Sequence, residues 1–151
     1  LSESLIPYGK IKYIKEQYMQ FDLVTPEELL VSTDAHYITI PGSEGAFGVL
    51  KGHQPTISTL NPGKVVVENE NGSREYFVSF GFADVTGEKV TILTEEASLK
   101  EEIDVETVSG ILASTTAQLM QLMKSSAAVT DIEKMSKKVQ NLEAKLKVAS
   151  V

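Results

Sequence analysis

The chain has 151 residues, a formal net charge of −7 and no cysteine. That length allows one ordinary domain, or a small domain with an appendage, and excludes two large catalytic domains. The missing thiols exclude a disulfide framework, a cysteine nucleophile and cysteine-ligated zinc or iron–sulfur clusters.

Residues 1–19 form an N-terminal extension. Within "IPYGKIKYIKEQYM", Ile11, Ile14 and Tyr18 stand three and four apart, the spacing of one or two amphipathic helical turns. A helix this short is marginal in water unless it packs on something.

Residues 20–100 read as a β-sandwich domain of about ten short antiparallel strands. "FDLVT", "LLVST", "HYITI", "TISTL", "KVVVE", "REYFVSF", "FADVT" and "KVTILT" are each bounded by Gly, Pro or Asn. Strands of this length at this spacing, with no helices between them, predict an antiparallel sandwich or barrel. Asn71-Gly72 predicts a hairpin through a type I′ turn, whose two central residues need positive φ. The stretch "PGSEGAFGVLKGHQP", Pro41 to Pro55, reads as a shaped turn between two strands.

Residues 101–151 read as an antiparallel helical hairpin. Val105, Val108, Leu112, Thr115, Leu119 and Leu122 repeat at three and four, as do Ile132, Met135, Val139, Leu142 and Leu146. Each set predicts the seam of one helix packing on the other. "TDIE", Thr130 to Glu133, is a capping box expected to start the second helix, and "KSSAAV" is the connection. All ten aromatic residues lie at or before Phe82, so the hairpin has no aromatic anchors.

The charge is unevenly placed. Residues 21–100 carry twelve acids against five bases and account for the whole net charge. Such a surface repels nucleic acid and anionic lipid and suits a basic protein partner. No apolar run approaches the ~18–20 residues that would cross a bilayer as a helix.

Catalytic readings find little support. Glycines 42, 45, 48 and 52 precede no helix, and "KGHQPTIS" lacks the Gly-Lys-Ser/Thr order of a phosphate loop. His36 and His53 give no metal-ligand spacing, no serine occupies a nucleophile elbow, and the acidic doublets point to different faces. No cofactor, metal or nucleotide site is therefore expected.

"PGSEGAFGVLKGHQPTISTLNPG", followed by "EYFVSFGFADV" and "VTILTEEA", resembles the small β-sandwich subunit of the rotor stalk of F-type ATP synthases. It is called epsilon in bacteria and chloroplasts and delta in mitochondria. The likeness covers roughly residues 20–150. It implies a non-catalytic rotor subunit that couples the proton-driven membrane ring to the gamma subunit. The implied partners are gamma, the c-subunit rotor ring and, in mitochondria, a small epsilon subunit, with membrane contact only through the ring.

"GAFG" and "YFVS" are similar to the mitochondrial branch, as is a first residue, Leu1, that fits a processed chain. The implied location is the matrix side of the mitochondrial inner membrane, the alternative being the cytoplasmic face of a bacterial membrane. Residue by residue, Gly42, Ser43, Glu44, Gly45, Ala46 and His53 are expected to face the ring, with Ala46 apolar where bacterial members are often acidic.

The alternative that the resemblance implies is a regulatory subunit whose helical arm inhibits ATP hydrolysis, as in some bacterial members, which sense ATP through Ile/Leu-Asp-x-x-Arg-Ala. Here Ile103 and Asp104 remain, but Thr107 and Val108 replace the arginine and alanine. Without the guanidinium no ATP binding is expected.

Overall fold

The computed structural model describes residues 17–150. The amphipathic turns expected around Ile11 and Ile14 lie outside the described residues. The expected sandwich followed by two helices is the architecture observed. The strands are β1 (Met19–Val24), β2 (Leu29–Ala35), β3 (Tyr37–Gly42), β4 (Gly45–Val49), β5 (Thr56–Leu60), β6 (Gly63–Asn69), β7 (Gly72–Val78), β8 (Gly81–Val85), β9 (Lys89–Thr94) and β10 (Ala97–Leu99). A 3-10 turn, Lys100–Glu102, leads into α1 (Val105–Lys124) and α2 (Val129–Ser150).

The strands pair in the order β10-β7-β6-β3-β5-β8-β9-β1-β2, with β4 on β3. The β3–β5 link is a single pair, Gly42 with Leu60. There the sheet passes from one layer, β4-β3-β6-β7-β10, to the other, β5-β8-β9-β1-β2.

Period-two alternation builds the core between the layers. Met19, Phe21 and Leu23 of β1, Ile38 and Ile40 of β3, Val65 and Val67 of β6, and Val90 and Ile92 of β9 all point inward and are buried. Phe21 lies against Tyr76 with ring centroids 6.5 Å apart. Full burial of a side chain such as Phe21 contributes about 1.5–3 kcal/mol.

Five local expectations are corrected. First, β1 and β9 pair in parallel, Phe21 opposite Val90 and Leu23 opposite Ile92. Parallel pairing needs a long connection, and most of the domain supplies one here. Second, the first part of the glycine-rich stretch is a strand hairpin: β3 runs on through Pro41 and Gly42, Ser43 and Glu44 form its turn, β4 follows, and the chain turns again at Lys51 and Gly52. The turn residues disguised a strand whose Val49 is buried and whose Phe47 packs against the core.

Third, Ala97–Leu99 is a short edge strand on β7 that the sequence reading left unassigned. Fourth, the β6–β7 hairpin forms, but Asn71 does not have positive φ; Gly72 does, at 120°. The Asn71 N–H donates instead to Asn69 Oδ1 at 2.9 Å, a side-chain turn that removes the need for a type I′ geometry.

Fifth, α2 begins at Val129, so Thr130 lies inside the first turn and does not cap it. The Ala128 carbonyl accepts the N–H groups of Asp131 and Ile132. In the seam, Val108 and Thr115 are buried, and Leu112, Leu119, Leu122, Ile132, Met135, Val139, Leu142 and Leu146 are half-buried. Val105 departs from the expected packing: it opens α1 and is 49% exposed. Val148, outside the expected seam, is buried. No helix among the described residues is long and apolar enough to cross a membrane.

Candidate partner interface

The Pro41–Pro55 stretch is shaped by its glycines for two different reasons. Gly45 has φ +126°, which reverses the chain immediately after Ser43–Glu44. Gly48 has no such φ, but a Cβ there would come within 2.0 Å of the Tyr37 hydroxyl. The turn is braced from β5: the Ser43 N–H donates to the Thr59 carbonyl at 2.9 Å, and the Ser43 and Thr59 hydroxyls are 2.5 Å apart.

The six residues expected to face the ring differ in exposure. Ser43, Glu44, Gly45 and Ala46 are exposed at the tip of the β3–β4 hairpin, whereas Gly42 is buried at the corner between the layers. His53 lies in the loop after β4 and sits near Phe47, whose ring edge lies against Gly42. There its N–H donates to the Leu50 carbonyl, and neighbouring Gly52 donates to Gly87. His53 Nδ1 is 2.7 Å from the Gln54 carbonyl, so that nitrogen carries the proton. Its ring stands 6.3 Å from that of Phe47. His53 therefore braces its loop and is half-buried.

A feature missed in the sequence lies on the outer face of the β5-β8-β9-β1-β2 layer. Phe82 pairs with Leu93, Leu93 with Val24, and Val24 with Leu29. All four side chains point away from the core, and Phe82 is 52%, Leu93 46% and Leu29 55% exposed. They form one apolar row across four strands, the step from Val24 to Leu29 following a bulge in the β1–β2 pairing. Beside it runs a groove of about 650 Å³ lined also by Pro26, Thr59, Phe80 and Glu95. The signal in the sequence was apolar neighbours of opposite facing, Ile92-Leu93 and Phe82-Ala83, in strands that otherwise alternate.

Acidic groups stand along the same layer. Asp22 accepts from Gln20 at 3.1 Å, from Ser32 at 2.8 Å and from Lys89 at 3.2 Å. These bonds, Gln20 first, hold its carboxyl below the usual range despite some opposing desolvation. Asp84, on the same outward face, is exposed. Among the described residues no three His, Asp or Glu side chains converge as metal ligands would. An exposed apolar row flanked by carboxylates is suited to docking a protein surface rather than to bond-making chemistry.

The helical pair is seated on the other layer. Lys145 Nζ and Asn141 Nδ2 both bond the Glu96 carboxylate, the latter at 3.2 Å. Lys145 also stands over the Phe77 ring and Lys137 over that of Phe80, at 5.5 Å and 5.3 Å from the centroids. At the start of α1, Asp104 is the N-cap. Its carboxylate accepts the Thr107 N–H at 3.3 Å and the Thr107 hydroxyl at 2.8 Å. Asp104, which the nucleotide-sensing pattern retains here, is thus engaged by Thr107, the residue that stands in place of its arginine.

Residues 18–100 match the family model described as the β-sandwich domain of the ATP synthase delta/epsilon chain. The chain belongs to this family. It is 41% identical over 100 residues to the ATP synthase epsilon chain of Jannaschia sp., spanning 66% of this chain and 76% of that one. To the epsilon chain of Rhodospirillum centenum it is 48% identical over 83 residues, 53% of this chain and 57% of that one.

Among solved structures, a chain of the Euglena gracilis mitochondrial ATP synthase, determined with its c-ring, superposes with a TM-score of 0.72. The two are 31% identical, and the match covers 89% of this chain and 82% of that one. A chain of the Tetrahymena thermophila mitochondrial enzyme shares the fold at a TM-score of 0.58 and 15% identity, over 87% and 96% of the two chains.

Proposed function

We propose that this chain is a non-catalytic central-stalk rotor subunit of an ATP synthase, transmitting the rotation of the membrane ring to the gamma subunit. The observation that carries the reading is the outward-facing apolar row Leu29–Val24–Leu93–Phe82, three of its four side chains exposed, on a member of the delta/epsilon family. Gamma docks on this row and its groove, with the carboxylates of Asp22 and Asp84 favouring basic groups around the contact. The Ser43–Ala46 tip meets the polar loops of the c-ring, and a small epsilon subunit completes the stalk in mitochondria.

Two settings have support. The epsilon relatives favour the cytoplasmic face of a bacterial membrane, whereas the likeness to the Euglena mitochondrial chain extends over 89% of the sequence. We take the matrix side of the mitochondrial inner membrane, because that likeness reaches beyond the sandwich into the helical hairpin.

The test is affinity purification of the tagged chain from native membranes in mild detergent. Wild type is expected to recover gamma and ring subunits, and Phe82→Asp with Leu93→Asp to lose gamma at least tenfold while melting normally. Recovery of neither subunit by wild type, or undiminished gamma with the double variant, overturns the proposal.

A further inference from the structure

The wall of the outer-face groove and the seat of α2 are built from the same short segments. Phe80 lines the groove and also carries Lys137 of α2 over its ring. Glu95 lines the groove, and its neighbour Glu96 holds Lys145 and Asn141 of α2.

A buried hydroxyl ties the two segments together. Thr94 Oγ1 accepts the Ser79 N–H at 3.0 Å and lies 3.2 Å from the carbonyls of both Phe80 and Glu96. The Ser79 N–H also reaches the Glu96 carbonyl at 2.9 Å, and the Glu95 N–H donates to the Phe80 carbonyl at 3.1 Å. Displacing one segment leaves buried donors and acceptors of the other without partners, so the two move as a unit.

We infer that occupancy of the groove and seating of α2 are coupled through this Ser79–Phe80 and Thr94–Glu96 knot. A partner that fills the groove immobilises Phe80 and Glu95, and so strengthens the hold on Lys137, Asn141 and Lys145. The inference rests on the groove being the gamma-docking site proposed above. The seat of α2 is responsive because it is incompletely satisfied: Asn141 Oδ1 is buried without a hydrogen-bond partner. Linkage makes the effect reciprocal, so loosening α2 also loosens the groove wall.

Hydrogen exchange on the full chain, alone and with purified gamma subunit, tests this. Gamma is expected to protect residues 80–82 and 93–95 and to slow exchange in α2 about fivefold or more. In Thr94→Val, which makes no bond to α2 but also lines the groove, gamma is added until residues 80–82 are protected as in wild type, and the slowing in α2 should then fall below twofold. Groove protection with α2 exchange unchanged in wild type, or slowing that persists in Thr94→Val, overturns the coupling.

A groove that gamma leaves unprotected overturns the docking reading instead. The coupling is then decided on the chain alone: Lys145→Met should speed exchange at Gly81 and Phe82, which Lys145 does not touch, and unchanged exchange there overturns it.

Discussion

The hydroxyl of Tyr37 occupies the space over Gly48, so that a methyl group at position 48 would stand 2.0 Å from its oxygen. Gly48→Ala is therefore expected to destabilise the sandwich by about 1–3 kcal/mol through overpacking. Adding Tyr37→Leu should recover part of that loss. Gly45→Ala meets nothing within 4 Å, and its cost of about 1–3 kcal/mol is backbone strain at φ +126°, which no second substitution relieves. Thermal melts of the three variants separate the two causes.

Asp104 and Thr107 close on each other at the start of α1. Asp104→Ala should loosen the start of α1 through loss of the N-cap, visible as faster exchange in its first turn. The same closed pair, with no guanidinium beside it, leads us to expect no calorimetric signal when millimolar ATP is titrated into the chain. A saturable heat would refute this.

Glu96 is the acceptor on which two α2 side chains converge. Glu96→Ala is expected to leave the sandwich folded and to speed exchange in the second half of α2 about fivefold, the equivalent of ~1 kcal/mol for a partly exposed charged pair. Unaltered exchange would mean that the apolar contacts around Val148 suffice to seat the helix.

Two ion pairs make the sandwich acid-sensitive. Bonding to Lys64 at 2.7 Å, aided by Lys100 at 3.5 Å, holds the Glu75 carboxyl below the usual range, as Gln20, Ser32 and Lys89 do for Asp22. A folded-state pKa below the unfolded one adds stability that is present above the unfolded value and lost as pH falls through the folded one. The melting temperature should therefore fall as pH drops below about 4, the ordinary carboxylate value. Asp22→Asn with Glu75→Gln should melt lower at neutral pH and show a shallower acid decline. An unchanged slope would assign the acid sensitivity to other carboxylates.

The strands were legible wherever one face meets water and the other the core. "KVTILT" could be read because Val90, Ile92 and Thr94 alternate with Lys89, Thr91 and Leu93, and the helices because their apolar residues return every three or four positions. The strand within "GAFGV" was not legible. Its glycines answer to Tyr37 and to the reversal at Gly45, neither visible in local sequence. Asn71-Gly72 marked the hairpin, but the Asn69 side chain changed its turn.

By itself the sequence determined the class of fold, the hairpin appendage and the family likeness, because periodicity and turn residues act over a few neighbouring positions. Tertiary structure alone decided that β1 lies parallel to β9, that Gly42 is buried beside the exposed Ser43–Ala46 tip, and that Leu29, Val24, Leu93 and Phe82 align into one outward-facing row. These relations join residues up to about seventy positions apart. Cross-strand register fixes them, and register is a property of the folded sheet rather than of any single segment.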